Sequence, residues 1–477
     1  MRGVDVHVSL DGCGDLSVRI YRQLLEAVLD GRLRAGERLP PSRELAARLD
    51  VSRNTVTVAY ERLAAEGYLA GRIGSGTFVS NEGGGQVRAR RAPAGAVRPR
   101  PLWESLTVPA SSLPGTPVYD FRIGIPDATL FPLATWRRFV ARELRPAALR
   151  SADYGEPAGT AGLRAAIARH VGVSRAVRAG ADDVIVTQGA QQAVDLIGRV
   201  LIEPGACVAV EEPGYLPVRR LFQSLGARVV GVPVDGEGLQ VAALPKTASL
   251  VYVTPSHQFP LGMPMSLQRR TAVLSWAERS NAVVIEDDYD SEFRFAGRPL
   301  DSLQSLDRHG RVVYVGSFSK VMLPALRLGF LVAPASLQPT LRAAKQLADW
   351  HGELPTQAAL ARFIDEGLLA RHIRKVTREY AIRRERIAAV LQRRFRAWLE
   401  LVSSVAGLHL AAGVASERSV DMNRVVRRAH TSGVAVYDLR RFYHDGPGNA
   451  GLVIGYGAIP TARIDEGLKR LATAFRG

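Results

Sequence analysis

Lysine is scarce in this chain of 477 residues: only five of its 63 basic residues are lysine, and the rest are arginine. Cysteine is scarcer still. Cys13 and Cys207 show neither disulfide nor metal-ligand spacing, which excludes a disulfide scaffold and makes a reducing cytoplasm the expected location. No apolar run reaches the roughly 18 residues of a membrane span, so no membrane partner is expected. The opening MRGVDVHVSLDGCGD lacks the apolar stretch of a secretory signal. The net charge of +17 is spread along the chain rather than gathered at one end. Basicity therefore argues for nucleic acid no better than it argues for an arginine-rich genome. What is present is 47% hydrophobic residues and a length sufficient for two or three domains.

Residues 81–118 break every periodic pattern around them with glycine, proline and arginine, and read as a flexible basic linker. Residues 12–80 before it form one domain and residues 119–477 after it another. In the first, Ile20, Leu24 and Val28 recur at helical spacing and stop at Gly31. PPSRELAARLD begins a second helix with Ser42 as its expected N-cap, and Ser52 caps a third, RNTVTVAYERLAAEG. That third helix buries Val56, Tyr60 and Leu63 and leaves Arg53, Asn54 and Thr57 outward at its start. YLAGRIGSGTFVS then alternates around Gly74 and Gly76 as a hairpin.

Two short helices, a tight turn and a glycine-tipped hairpin predict a winged helix-turn-helix on a double-stranded DNA operator. Arg53 is suited to guanine and Asn54 to adenine, with Arg43, Ser52, Thr55 and Thr57 on the same surface. Arg72 and Gly74 suit close approach to the backbone or minor groove. The stretch LPPSRELAARLDVSRNTVTVAYERLAAEGYLAGRIGSGTFV resembles the GntR-type winged-helix domain along its whole length.

In residues 119–477 the apolar runs DVIVT, CVAVEEP, LVYVTP, AVVIEDD and RVVYVGS alternate with helical stretches. They predict an α/β sheet of buried parallel strands, whose carboxyl ends gather ligands. Three of those ends carry chemistry. QGAQQAVDL opens a helix on glycine and offers free amides to an anion. DDYD, residues 287–290, supplies three close carboxylates, of which Asp288 and Asp290 are expected on an exposed acidic turn. VGSFSKVMLPALRLGF supplies Ser317, Ser319, Lys320 and Arg327. Serines, helix-start amides and a guanidinium suit a phosphate monoester, and only lysine offers an amine for a Schiff base with an aldehyde. A carboxylate facing a pyridine nitrogen keeps that ring protonated. Aldehyde, pyridine and phosphate together describe pyridoxal 5′-phosphate.

YDFRIGIPDATLFP, QGAQQAVDL, EEPGY, TPSHQFPLG, EDDYDSEFRF and GSFSKVMLPALRLGF resemble, in order and register, the aminotransferase-like domain of MocR-type regulators. These are GntR-family proteins with a fold-type I aminotransferase domain behind the winged helix. The resemblance implies a mostly parallel sheet wrapped by helices, with a smaller C-terminal α+β subdomain. It implies a Lys320 Schiff base, Asp287 on the pyridine nitrogen and Tyr289 on the phenolic oxygen. Arg327, Ser317, Ser319 and the Gly189–Ala190 turn would hold the phosphate, and Tyr215 would cover the ring. Gln258 stands where aminotransferases have an asparagine. A homodimer through this domain is also implied.

Aminotransferases pair the substrate carboxylate with an arginine near the C-terminus, where this chain reads GLVIGYGAI with Leu452 and Val453. Two readings follow. In the first, the protein is a pyridoxal-phosphate-dependent transcriptional regulator sensing the cofactor itself or an amino compound, without full transaminase turnover. In the second, it is an active aminotransferase that also autoregulates its operon, with Arg440 or Arg441 as the carboxylate anchor.

Overall fold

The structure is a computed structural model describing residues 8–10, 14–72, 76–80, 97–106, 117–146, 153–295, 301–415 and 419–476. It divides into two compact units, Met1–Pro99 and Arg100–Gly477. The linker expected over 81–118 straddles that division, and its described residues 100–106 belong to the second unit.

In the first unit, α1 (Leu16–Leu29) is capped by the Asp15 carboxylate, which accepts from the Ser17 amide at 2.8 Å. α2 (Ser42–Leu49) starts one residue earlier than its expected cap implied. Pro41 holds the cap position in extended conformation, so Ser42 is already helical and makes no capping bond. Asp50, at φ 51°, turns the chain in the left-handed region. Ser52 then caps α3 (Arg53–Ala65) by accepting from the Thr55 amide at 3.1 Å. Leu24, Leu45, Val56 and Leu63 are fully buried where the three helices meet, each contributing roughly 1.5–3 kcal/mol of hydrophobic stabilisation. The Tyr60 hydroxyl donates to the Pro40 carbonyl at 2.9 Å and locks α3 to the start of α2. β1 (Leu69–Arg72) and β2 (Gly76–Val79) pair antiparallel, Leu69 opposite Val79 and Arg72 opposite Gly76, and form the wing. Gly74 and Cys13 lie outside the described residues.

The second unit opens with β3 (Tyr119–Asp120). Its large sheet contains β4 (Val184–Thr187), β5 (Cys207–Glu212), β6 (Arg228–Asp235), β7 (Gly238–Leu239), β8 (Ala248–Val253), β9 (Val283–Asp288), β10 (Val312–Ser317) and β11 (Gly329–Val332). The spatial order is β4-β11-β10-β9-β8-β5-β6-β7. Neighbours from β10 through β6 run parallel, while β11 runs antiparallel to both β10 and β4. Two reversals restore direction, so β4 ends on the same edge as β5, β8, β9 and β10. The five apolar runs of the sequence are these five strands. Helices cover both faces: Ile185, Val313, Val315 and Leu331 pack with the helix Ala190–Leu201, and Val251 and Val284 pack with the helix Leu267–Arg279.

A smaller sheet follows, of β12 (Leu399–Leu401), β13 (His409–Val414), β15 (Tyr437–Asp438) and β16 (Gly451–Gly455) in the order β12-β13-β16-β15, all antiparallel. Between them β14 (Val434–Ala435) pairs in parallel with β3 and ties the end of the chain to the start of the unit. Among the described residues no helix is long and apolar enough to cross a membrane.

Candidate functional site

A cavity of about 680 Å³ opens at the carboxyl ends of the large sheet. Asp287 and Tyr289 reach it from the end of β9, Ser317, Ser319 and Lys320 from the end of β10, and Ala190 from the turn after β4. Arg327 enters just before β11, and Tyr215 follows β5. Residues up to 137 positions apart in sequence (Ala190 and Arg327) thus share one wall, because parallel strands deliver their following loops to one edge.

At one end sits an anion cradle. Gly189, at φ 86°, begins the helix Ala190–Leu201, whose first amides lack helical partners. Arg327 arches over this turn and donates to the Gln188 carbonyl. The Ser319 amide donates to Ser317 Oγ at 3.1 Å, which holds both hydroxyl-bearing residues on the same bend.

At the centre, Lys320 Nζ donates to the Gly124 carbonyl at 2.8 Å. Burial draws its ammonium below the ordinary lysine range, against the opposing pull of Asp290 and Asp287. Asp287 is the inner wall. Its Oδ2 accepts from the Tyr252 hydroxyl at 2.5 Å, while Oδ1 is buried with no partner among the described residues. Burial pushes this carboxyl up to about 7, with the Tyr252 bond opposing. An orphaned carboxylate oxygen in a dry wall calls for a cationic N–H donor, and a protonated pyridine nitrogen is one. Tyr215 projects partly exposed into the cavity and meets Phe259 edge-on at 5.3 Å. The residues present therefore fit pyridoxal phosphate at both its ring and its phosphate.

Three expectations change. Gln258 does not line the cavity: its Nε2 donates to the carbonyls of Pro213 at 2.9 Å and Phe259 at 2.7 Å, so the amide is spent on loop backbone. Asp288 and Asp290 are not an exposed acidic turn but are buried. Asp288 takes Arg175 at 2.7 Å and the Tyr314 hydroxyl at 2.6 Å, and the guanidinium keeps its carboxyl low despite burial. Asp290 lines the cavity and pairs with His257 at 3.0 Å. Tyr252, His257 and His409 went unnoticed in the sequence because nothing local marks a tyrosine or histidine as facing a carboxylate from another strand.

Leu452 and Val453 are fully buried in the core on β16 and do not reach the cavity. Of the two alternative anchors, Arg440 is held by Asp438 at 2.7 Å and lies outside the cavity. Arg441 lines the cavity, rests over the Tyr437 ring at 5.2 Å, and has no carboxylate partner among the described residues.

On the first unit, Arg43, Arg53 and Asn54 are exposed and Thr55 and Thr57 half-buried around the start of α3. The Ser52 and Thr55 hydroxyls face each other at 2.8 Å, so both serve the helix start. Arg72 ends β1 at the wing.

A winged helix followed by a fold-type I aminotransferase domain defines a class of bacterial regulator. Residues 16–79 match the family described as "Bacterial regulatory proteins, gntR family" and residues 127–471 match "Aminotransferase class I and II". The chain belongs to the MocR-type subfamily of GntR-family transcriptional regulators. It is 37% identical over 470 residues to the probable rhizopine catabolism regulatory protein MocR of Rhizobium meliloti, covering 97% of this chain and 94% of that one. It is 32% identical to the pyridoxine biosynthesis transcriptional regulator PdxR of Corynebacterium glutamicum, covering 93% and 92%. The kynurenine aminotransferase of Pyrococcus horikoshii, solved with PMP, superimposes with a TM-score of 0.70 at 27% identity, covering 76% and 91%.

Proposed function

We propose that this regulator holds pyridoxal phosphate on Lys320 and that occupancy of the cavity changes how its winged helices bind an operator. Arg327, Ser317, Ser319 and the Gly189–Ala190 turn would neutralise the phosphate, Asp287 would hold the ring-nitrogen proton, and Tyr215 would cover one face. When bound, the cofactor supplies an aldehyde for amines and an electron-withdrawing ring. The Tyr289 hydroxyl would donate a hydrogen bond to the ring oxygen, and the Lys320 amine would engage the aldehyde.

The observation that carries a sensor rather than an enzyme is the burial of Leu452 and Val453 in the core. With no arginine at that position, an α-carboxylate left unpaired in the cavity would cost several kcal/mol. The cofactor itself is thus the leading effector, with an amino compound second. The relative named for pyridoxine biosynthesis is consistent with that order. The test is an operator-binding titration with cofactor-free protein, then pyridoxal phosphate, then each amino acid. Cofactor alone should shift affinity, and Lys320→Ala should blunt the shift. No shift with cofactor, alongside a tenfold shift (about 1.4 kcal/mol of coupling) with one amino acid, would overturn this.

Arg441 favours one second reading, amino transfer with that guanidinium as carboxylate anchor. Keto acid released from any amino acid, and lost in Arg441→Ala, would establish it. We also infer a homodimer, because one winged helix reads too short a site for selective regulation. Sedimentation of the cofactor-loaded protein checks this, a monomer at micromolar concentration being the contrary result.

A further inference from the structure

Behind Tyr289 lies a buried polar group that the roles above leave unused. His257 and Asp290 are almost completely buried, and the His257 Nδ1 atom stands 3.0 Å from both Asp290 Oδ1 and the Tyr289 hydroxyl oxygen. The opposite ring nitrogen, Nε2, is buried with no partner among the described residues. Both polar partners of the ring stand at Nδ1, so a proton is assigned to that nitrogen and shared between the two oxygens. The Tyr289 hydroxyl donates its own proton to the His257 carbonyl at 2.9 Å; a ligand oxygen in the cavity would take that proton in place of the carbonyl. Asp290 Oδ2 accepts from the Leu408 amide at 3.2 Å, which fixes the carboxylate from the far side.

We propose that His257 and Asp290 are positioning residues for the group held at Lys320. His257 makes Tyr289 a stronger donor into the cavity, and Asp290 places a negative charge toward the Lys320 nitrogen. The inference rests on the cofactor reading above.

The two residues act in opposite senses. An Nδ1–H shared between Asp290 Oδ1 and the Tyr289 oxygen polarises that hydroxyl, so it better stabilises negative charge on the oxygen it meets. That favours loss of a proton from a chromophore bound at Lys320. Asp290 favours its retention: among the charges acting on Lys320 its pull toward the protonated form is the largest, ahead of Asp287, with Arg327 opposing. Other titratable groups face the cluster: Glu211 acts on Tyr289 and Tyr456 on Asp290, while His409 contacts His257 with ring centres 4.8 Å apart and donates toward the Pro260 carbonyl at 3.0 Å. Burial keeps it neutral.

The test uses full-length protein loaded with pyridoxal phosphate and follows its visible band against pH. Asp290→Asn should lower the midpoint by about one pH unit, a tenfold loss of proton affinity. His257→Leu and His257→Phe should raise it, whereas His257→Asn, whose side-chain amide can still donate, should stay near wild type. In a Tyr289→Phe background, removing His257 should shift nothing further. A purely structural role would not give opposite signs, nor vanish with the tyrosine hydroxyl. Midpoints that stay together, or move in one direction for both residues, would overturn the inference. A wild-type protein with no visible band and no borohydride-trapped Lys320 peptide would instead remove the cofactor reading, and the inference with it.

Discussion

A Cβ added to Gly189 would lie 2.8 Å from the Arg327 guanidinium, so the turn and the arginine are cut to one another. Gly189 also holds φ 86°, in the left-handed region where side chains are strained. One position thus carries two requirements: close approach and backbone freedom.

Gly189→Ala should therefore weaken pyridoxal phosphate at least tenfold. Spectral titration measures this, and unchanged affinity would show that the cradle does not hold the phosphate. The winged helix, a separate compact unit, should keep its thermal transition.

Lys320→Ala is expected to fold, since among the described residues its ammonium makes one hydrogen bond, to the Gly124 carbonyl. Borohydride should trap a cofactor adduct on the Lys320 peptide of the wild type and none in the variant. Equal labelling of both proteins would move the attachment point elsewhere.

Arg53→Ala should cost ~1–3 kcal/mol of operator binding and relax preference at one base position. Arg72→Ala, as a backbone contact, should weaken all sequences alike and flatten the salt dependence. Competition with point-substituted operators at two salt concentrations separates these outcomes.

Asp287 predicts a pH effect. Its carboxyl titrates near 3.8 in an unfolded chain and at about 7 in the folded, cofactor-free protein. The folded state then holds the proton more tightly, so this group's stabilisation is full at low pH and is lost as pH rises from about 4 to 7. Asn cannot ionise. The cofactor-free Asp287→Asn variant should gain in thermal midpoint over wild type as pH rises through that window, and should bind the cofactor more weakly. A difference independent of pH would contradict the buried, proton-holding carboxyl.

The helix-turn-helix and the five parallel strands were legible because their signals are local: helical spacing of Val56, Tyr60 and Leu63, and apolar runs such as VVYVG before Ser317. Lys320 stood out by chemical type in an arginine-rich chain. Asp288 and Asp290 were misread because their partners are remote, Arg175 at 113 residues and His257 at 33. A charge run looks alike in solvent or facing a buried guanidinium, and only the strand order tells them apart. Gln258 differs in kind: the carbonyls of Pro213 and Phe259 take its amide, and it does not line the cavity.

The short helix Pro101–Ser105 sits within the stretch that composition marks as tether, yet Trp103 and Leu106 line the same cavity as Lys320. Cutting the protein after the tether would thus not yield an intact pocket. A chain beginning at Val118 would lack part of the pocket rim, while one beginning near Pro99 would retain it. Comparing cofactor affinity of the two shortened proteins would show how much of the binding site the tether owns. The stretch that joins the two domains in sequence thus serves also as a wall of the cavity.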